Sequence, residues 1–155
     1  MQNEALPFVY KANLGKRIGA TIIDYGLFML AFFAYLDLVG EDTPHGKLVS
    51  GWTALVIPVA WFLYFVVIET FNGATPGHHV LRLKVLTIDR KETSGLEALQ
   101  RHLLDWIDIF FWGIPALIAI TMSDKRQRLG DMWAHTIVVD TTDPDQYGPA
   151  RRGSE

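Results

Sequence analysis

The stretch that decides the fold is Ile18–Val39, which reads IGATIIDYGLFMLAFFAYLDLV. Its 22 residues are apolar apart from Thr21, Asp24 and Asp37, with two amphipathic tyrosines among them. As an α-helix it extends about 33 Å, enough to cross the hydrocarbon core of a bilayer. A cleavable signal peptide is the alternative, but Asp24 interrupts the run and no small-x-small cleavage site follows it. The sequence therefore predicts a retained transmembrane helix.

A second apolar block, Trp52–Phe71, carries no charge before Glu69. Pro58 lies inside it, and a membrane-spanning helix tolerates an internal proline better than a soluble helix does. The alternative is a buried helix in a soluble protein, which two runs of this length in a 155-residue chain argue against. We therefore predict a second transmembrane helix, joined to the first by a short polar loop at Gly40–Gly51.

A third block, Leu96–Met122, is longer than one crossing needs and is mixed in character. Its first part is amphipathic, and Ser94 with Glu97 forms a capping-box pattern at its start. Gly113 and Pro115 lie near the middle of the block and are expected to break or kink it. A bend there would return the chain to the side from which it came as two short helices.

Two short segments outside these blocks have strand character. Val80–Asp89 alternates basic and apolar residues in part, and His135–Asp140 is a second apolar run, preceded by a short helical turn at Leu129–Ala134. Thr141–Glu155 reads as a disordered polar tail, and Asp143 and Asp145 within it, together with Asp140 just before it, are expected to be solvated. The predicted fold is an all-α membrane protein: a small transmembrane bundle with a broken third segment and a two-stranded β element at the cytoplasmic surface. One domain covers 1–140, and the tail covers 141–155.

Basic residues flanking the blocks predict the topology, because Lys and Arg are retained on the cytoplasmic side. Three of them precede the first block, one lies in the first loop and four lie between 72 and 95. The N-terminus is therefore predicted inside and the first loop outside. A single crossing by the third block would place the C-terminus outside, but Lys125, Arg126 and Arg128 directly follow this block and favour a cytoplasmic C-terminus.

Charged residues inside the apolar blocks are the candidate functional groups, because burial in a membrane is costly for them. They are Arg17, Asp24, Glu69, Arg101, Asp105 and Asp108. Helical spacing places Arg17 near the face of Asp24, and places Arg101, Asp105 and Asp108 on one face, with His102 adjacent. These groups are expected to be able to meet as one polar cluster inside the bundle. A functional interpretation is a cation or proton site centred on Asp24. A structural interpretation is an ion-pair network in which Arg17 and Arg101 neutralise Asp24 and Asp108.

Other chemistry is sparse in the sequence. A net charge of −3 gives no reason to expect nucleic acid, and the lack of cysteine removes thiol chemistry. The pair His78-His79 is interpreted as part of a surface loop. Phosphate-loop, zinc-spacing and nucleophile motifs are not found, so we predict neither an enzyme, nor a cofactor, nor a metal site.

Four motifs in order give the chain a resemblance to a known family. They are Arg17–Asp24 (RIGATIID), Gly73–Gly77 (GATPG), Arg101–Asp108 (RHLLDWID) and Gln127–Asp131 (QRLGD). Together they resemble the RDD family of membrane proteins, named for one arginine and two aspartates. His78 stands where that family usually has a lysine or arginine after GATPG. The resemblance identifies Arg17 and Asp24 with the family's arginine and first aspartate, and either Asp108 or Asp131 with its second.

The resemblance implies a multi-pass protein of the bacterial inner membrane with a cytoplasmic N-terminus. Some members of the family are implicated in sodium/proton antiport, so Na⁺ or another monovalent cation and H⁺ are implied partners. Three helical segments are few for a transporter, and a homo-oligomer is then expected. Two hypotheses follow. In the first, Asp24 binds the exchanged ion or proton and Arg17 sets its charge; in the second, the protein is a non-transporting scaffold for a partner membrane protein.

Overall fold

The computed structural model describes residues 8–147, apart from the side chains of Ile109 and Phe110. The chain is mostly helical, with two long apolar helices and two small two-stranded sheets. The part of the predicted polar tail from residue 148 onward lies outside the described residues.

The first predicted helix is confirmed and is slightly longer than expected: α1 covers Leu14–Val39. Its buried residues are Arg17, Ala20 and Asp24, all in its first half. The rest of the helix presents large apolar side chains outward, and Leu30 and Leu38 are 70% and 85% exposed. The helix therefore packs through a polar N-terminal half and leaves an apolar surface along its length.

The connection after α1 is not the loop that was predicted. It forms an antiparallel hairpin of β1 (Glu41–Thr43) and β2 (Gly46–Leu48). The second apolar helix then covers Gly51–Asn72 and confirms the second predicted helix. It begins as a 3₁₀ turn at Gly51–Leu55, continues as α2 (Val56–Trp61), widens to a π-helix at Phe62–Val67 and ends as α3 (Ile68–Asn72). Pro58 is accommodated inside α2 without ending the helix.

The GATPG motif reverses the chain and starts a short helix. Gly73 has a φ of +65°, the left-handed conformation that glycine adopts at no steric cost and that commonly ends a helix. Pro76 is the first residue of α4 (Pro76–Val80), a position that needs no backbone N–H. The strand β3 (Leu83–Thr87) follows, within the predicted segment 80–89.

The third block is broken as predicted. It consists of α5 (Gly95–Leu103), α6 (Asp105–Phe110) and α7 (Ile114–Met122), with a turn at 111–113 in which Gly113 has a φ of +77°. The predicted capping box is confirmed at the start of α5: Ser94 N–H donates to Glu97 at 2.7 Å, and Glu97 N–H donates to the Ser94 hydroxyl at 3.4 Å. As a nine-residue helix, α7 extends only about 14 Å and is too short to cross a bilayer.

The last elements return to β3. After α8 (Leu129–Trp133), strand β4 (Thr136–Asp140) pairs antiparallel with β3 in the register Leu83–Asp140 to Thr87–Thr136. The predicted pairing of these two segments is therefore confirmed. All five residues of β4 are buried, including Asp140, so its predicted solvation is wrong. Lys16 forms an ion pair with Asp140, and Lys11 forms one with Asp143 at 2.5 Å.

Candidate functional site: a buried ion-pair cluster

Asp131 lies at the centre of the buried charges, because α8 is packed against the backbone of α5. A Cβ on Gly130 would collide with the Arg101 carbonyl, so only glycine permits this approach. Asp131 then accepts from the Arg128 backbone N–H at 3.1 Å, which caps the start of α8. The glycine of the QRLGD motif is therefore required for the close packing of α8 on α5, and the aspartate is required to cap the start of α8.

Three arginines surround the Asp131 carboxylate. Arg101 Nε donates to Oδ1 at 2.9 Å, Arg17 Nη1 donates to Oδ2 at 3.2 Å and Arg128 Nε lies 3.5 Å from Oδ1. Burial would raise the pKa of Asp131, but the three guanidinium groups outweigh burial and hold it well below its usual range. Asp131 is therefore an anion in the folded protein.

Arg101 extends the cluster to the end of the second apolar helix. Its Nη1 donates to Glu69 Oε1 at 2.6 Å, and neither residue has any exposed surface. The other Glu69 oxygen lies 3.1 Å from His102 Nε2, while His102 Nδ1 lies 2.7 Å from Asp105 Oδ2. Each ring nitrogen faces a carboxylate, so both are donors and His102 is an imidazolium.

The pKa of His102 agrees with this geometry. Burial alone would lower it, but Glu69 and Asp105 outweigh burial and raise it to about 9. The pKa of Asp105 is lowered to about 2, because Arg128 and His102 outweigh the effect of burial. Arg128 Nη1 lies 2.6 Å from Asp105 Oδ1, and the Tyr25 hydroxyl donates to Asp105 Oδ2 at 3.0 Å.

Asp108 lies at the edge of the same cluster. Its nearest cation is Arg128, at 4.0 Å, and neither of its buried carboxylate oxygens accepts a hydrogen bond within the described part of the chain. The cluster as a whole has four cationic groups and four carboxylates, which is a balanced set of charges. Its members are Arg17, Arg101, His102 and Arg128 with Glu69, Asp105, Asp108 and Asp131.

Asp24 lies outside this cluster and anchors the GATPG turn to α1. The Thr75 hydroxyl donates to Asp24 Oδ2 at 2.5 Å, and the Gly77 N–H and the Tyr64 hydroxyl donate to Oδ1 at 2.7 and 3.2 Å. A Cβ on Gly77 would collide with the Ala20 backbone carbonyl of α1 and lie 2.8 Å from the Asp24 carboxyl carbon, so α4 approaches α1 only with glycine there. His78 Nδ1 lies 3.4 Å from Asp24 Oδ2 and 2.7 Å from the Thr75 hydroxyl.

The pairings predicted from helical spacing are wrong. Arg17 pairs with Asp131 and Arg101 pairs with Glu69 and Asp131, so neither Asp24 nor Asp108 is neutralised by the arginine expected for it. Arg17 therefore does not set the charge of Asp24 by direct contact. The surface-loop prediction for His78 is also wrong, because that residue is buried and its pKa is lowered by burial.

Sequence reasoning placed six of the eight cluster members among its candidates, noted His102 as adjacent to them without assigning it a role, and did not place Arg128 in the cluster. Arg128 was assigned only to the topology signal, although its spacing of three residues from Asp131 within QRLGD offered a signal for a local contact. His102 lies beside Arg101 and three residues before Asp105, which offered a similar signal. Of the two side chains that donate to Asp24, Thr75 belongs to the GATPG motif, whereas no sequence pattern indicated Tyr64.

The arrangement is suited to holding segments together. The described residues contain no group of three or more His, Asp or Glu side chains arranged to hold a metal ion. Instead, each arginine of the cluster bridges different parts of the chain: Arg17 joins α1 to α8, Arg101 joins α5 to α3 and α8, and Arg128 joins the start of α8 to α6.

Comparison with known proteins identifies the family and little else. A search of curated proteins and a search of solved structures each give no match. The profile of the RDD family matches residues 11–135, which include α1, the GATPG turn, all eight members of the cluster and the QRLGD motif. RDD proteins are membrane proteins of poorly defined function. The chain therefore belongs to the RDD family.

Proposed function

We propose that the protein is a non-transporting membrane scaffold, with two transmembrane helices whose cytoplasmic ends are fixed by the ion-pair cluster so that they present a defined surface to a partner membrane protein. The observation that carries this proposal is the pairing of the cluster's charges with one another. A transport site needs a group that releases its partner during each cycle, whereas removing one partner of a buried ion pair is strongly unfavourable.

Membrane placement is supported by the two apolar helices. Only 6% of the residues in the most apolar part of α1, and 17% in that of the second apolar helix, are buried within the chain. Exposed apolar surface on this scale is unfavourable in water and is typical of contact with lipid or with other membrane helices. We infer that both helices span the bilayer and that α6 and α7 enter it without crossing.

The contacts at the helix ends support a cytoplasmic placement of both described ends of the chain. Lys11, before α1, pairs with Asp143, and the Val9 N–H donates to the Asp145 carbonyl, so the segments before α1 and after α8 lie together. Because α7 is too short to cross, these segments share one side of the membrane. The many basic residues near this end favour the cytoplasm.

The first experiment tests placement. Extraction of bacterial membranes with alkaline carbonate should leave the chain in the membrane fraction, and a fluorescent reporter that folds only in the cytoplasm should be active when fused after Glu155. Release by carbonate, or an inactive reporter on a protein present at normal abundance, would contradict the proposed placement.

The second experiment separates scaffold from transporter. Arg101→Gln should lower the amount of folded protein in the membrane, because it leaves the fully buried Glu69 without its arginine. Arg82→Gln is the matched control, since Arg82 is exposed and forms no ion pair among the described residues. Everted vesicles containing the wild-type protein should hold an imposed pH gradient when Na⁺, K⁺ or Li⁺ is added. Rapid loss of the pH gradient in vesicles that contain the wild-type protein, but not in vesicles that lack it, would refute the proposal of a non-transporting scaffold.

Cation/proton exchange at Asp24 is the second candidate, and one observation favours it. The Thr75 hydroxyl lies within hydrogen-bonding distance of both the Asp24 carboxylate and the His78 ring, which forms a short path for a proton between two titratable groups. This candidate predicts that Asp24→Asn abolishes exchange while the protein remains abundant in the membrane. If Asp24 only anchors the GATPG turn, the same variant should lower abundance and change no flux.

A further inference from the structure

An open apolar groove lies between α7 and α8. Its volume is about 520 Å³. Apart from Ser123 at one end, the residues that line it are apolar, with Ile114, Ile118 and Met122 on α7 and Leu129 and Met132 on the other wall. Ile118 is 52% exposed, so the groove opens along this rim to the surroundings of the chain.

A cation without a carboxylate partner lies beside the C-terminal end of α7, next to the groove residues Met122 and Ser123 rather than in the groove lining. The chain turns there, with the Arg126 N–H donating to the Ser123 carbonyl at 3.0 Å and Arg126 at a φ of +56°. Residues other than glycine rarely adopt this backbone conformation. The Arg126 guanidinium donates to the Thr121 carbonyl at 2.8 Å, over the last turn of α7. Within residues 8–147, no carboxylate lies within 4.0 Å of it, in contrast to the three arginines of the cluster.

We propose that this groove binds one anionic phospholipid, with an acyl chain between α7 and α8 and the phosphate beside Arg126. The proposal rests on the membrane placement proposed above. An apolar groove with one unpaired cation beside its end complements an amphiphile whose head carries one negative charge. A guanidinium is well suited to a phosphate, since its N–H groups form paired hydrogen bonds to two phosphate oxygens.

The alternative occupant is a second copy of the chain. An apolar helix from another copy would also fill the apolar part of the groove, but such a helix carries no negative charge to pair with Arg126. An anionic lipid accounts for both the apolar groove and the charge of Arg126. Anionic lipids are also abundant on the cytoplasmic face of the membrane, which is the side on which the basic residues place this turn.

The test is lipid retention measured by native mass spectrometry on the purified full-length protein. The protein is delipidated in detergent and then given phosphatidylglycerol or phosphatidylcholine with identical acyl chains. The wild type should retain one phosphatidylglycerol in preference to phosphatidylcholine by roughly fivefold, the effect of one arginine near an anionic head group. Arg126→Gln should retain the two lipids equally, and Arg126→Lys should keep part of the preference.

The groove itself is tested by Ile118→Trp, which narrows it from an exposed rim position and leaves the buried cluster untouched. This variant should lose the retained lipid of either kind. Leu30→Trp, on the exposed face of α1, is the control and should behave as the wild type. Added inorganic phosphate should not displace the lipid, because it cannot fill the apolar groove.

Several outcomes would overturn the lipid site. They are equal retention of both lipids by the wild type, unchanged preference in Arg126→Gln, unchanged retention in Ile118→Trp, or a dimer that Ile118→Trp dissociates while lipid binding is absent. Carbonate extraction of the membranes from which each protein is purified separates this failure from that of the membrane placement. A protein that stays in the membrane fraction but shows no lipid preference refutes only the lipid site, whereas release by carbonate refutes the placement on which it rests.

Discussion

The contacts of His102 predict how the stability of the protein changes with pH. The imidazole lies between Glu69 on α3 and Asp105 on α6, and each ring nitrogen is within 3.1 Å of a carboxylate oxygen. The positive charges packed nearby are Arg101 on the same helix and Arg128 before α8, and both already pair with these carboxylates. Deprotonation of His102 therefore leaves one carboxylate facing a ring nitrogen that no longer donates a hydrogen bond.

The direction and size of the effect follow from the raised pKa of His102. The value is about 9 in the folded protein and 6.5 when the side chain is free. Since a shift of one unit corresponds to about 1.4 kcal/mol, the charged form contributes at most roughly 3 kcal/mol to the free energy of unfolding. A group with a raised pKa gives its full contribution below the unfolded value of 6.5. That contribution is lost as the pH rises through about 9.

The measurement is thermal unfolding of the wild type and His102→Gln in detergent, from about pH 5.5 to about pH 10. The variant should unfold several degrees lower than the wild type at the acidic end, because roughly 3 kcal/mol corresponds to about 6–12 °C for a chain of this size. The difference should shrink toward alkaline pH. His79→Gln, at an exposed position, should follow the wild type throughout. A gap between wild type and His102→Gln that stays constant across this range would refute the assignment of a charged His102.

Two further predictions concern the centre of the cluster and the Asp24 anchor. Asp131→Asn should lower stability by about 3–5 kcal/mol, the cost of breaking a buried ion pair, whereas Asp108→Asn should cost much less because neither Asp108 oxygen accepts a hydrogen bond among the described residues. The unfolding temperatures of the two purified variants test this difference, and an equal decrease in unfolding temperature for both variants would contradict it. Gly77→Ala should destabilise the protein by about 1–3 kcal/mol, because the new Cβ would lie 2.8 Å from the carboxyl carbon of Asp24. Gly26→Ala, whose Cβ meets no atom within 4 Å, should be nearly neutral in the same assay, and a neutral Gly77→Ala would show that α4 does not pack as described.

Local structure was predictable from the sequence because it depends on neighbouring residues. The capping box at Ser94, the break at Gly113 and the strands on either side of the third block all follow from side-chain chemistry within a few positions. The two long helices follow in the same way from runs of apolar residues. The hairpin after α1 was missed, because its strands have only three residues each and lack an alternating pattern.

The partners of the charged residues were not predictable in the same way. Spacing on one helix places Arg17 near the face of Asp24, but the Arg17 side chain instead reaches Asp131, which is 114 positions away in the chain. That contact depends on the return of the chain after α7 and on the close approach that Gly130 allows between α8 and α5. Nearest-neighbour reasoning therefore identified most of the buried charges and assigned the wrong pairs.

The separation of the charges into two groups explains how so small a chain can hold two apolar helices in one arrangement. Within a bilayer, apolar surfaces gain little by associating with each other, because lipid is as apolar as they are. Polar contacts must therefore fix the positions of the segments. The anchor at Asp24 fixes the GATPG turn on α1, and the cluster around Asp131 ties α1 to the elements that follow the second apolar helix. Both contact α1 in its N-terminal half, so in the proposed membrane placement the apolar surface of the C-terminal half faces lipid or a partner helix.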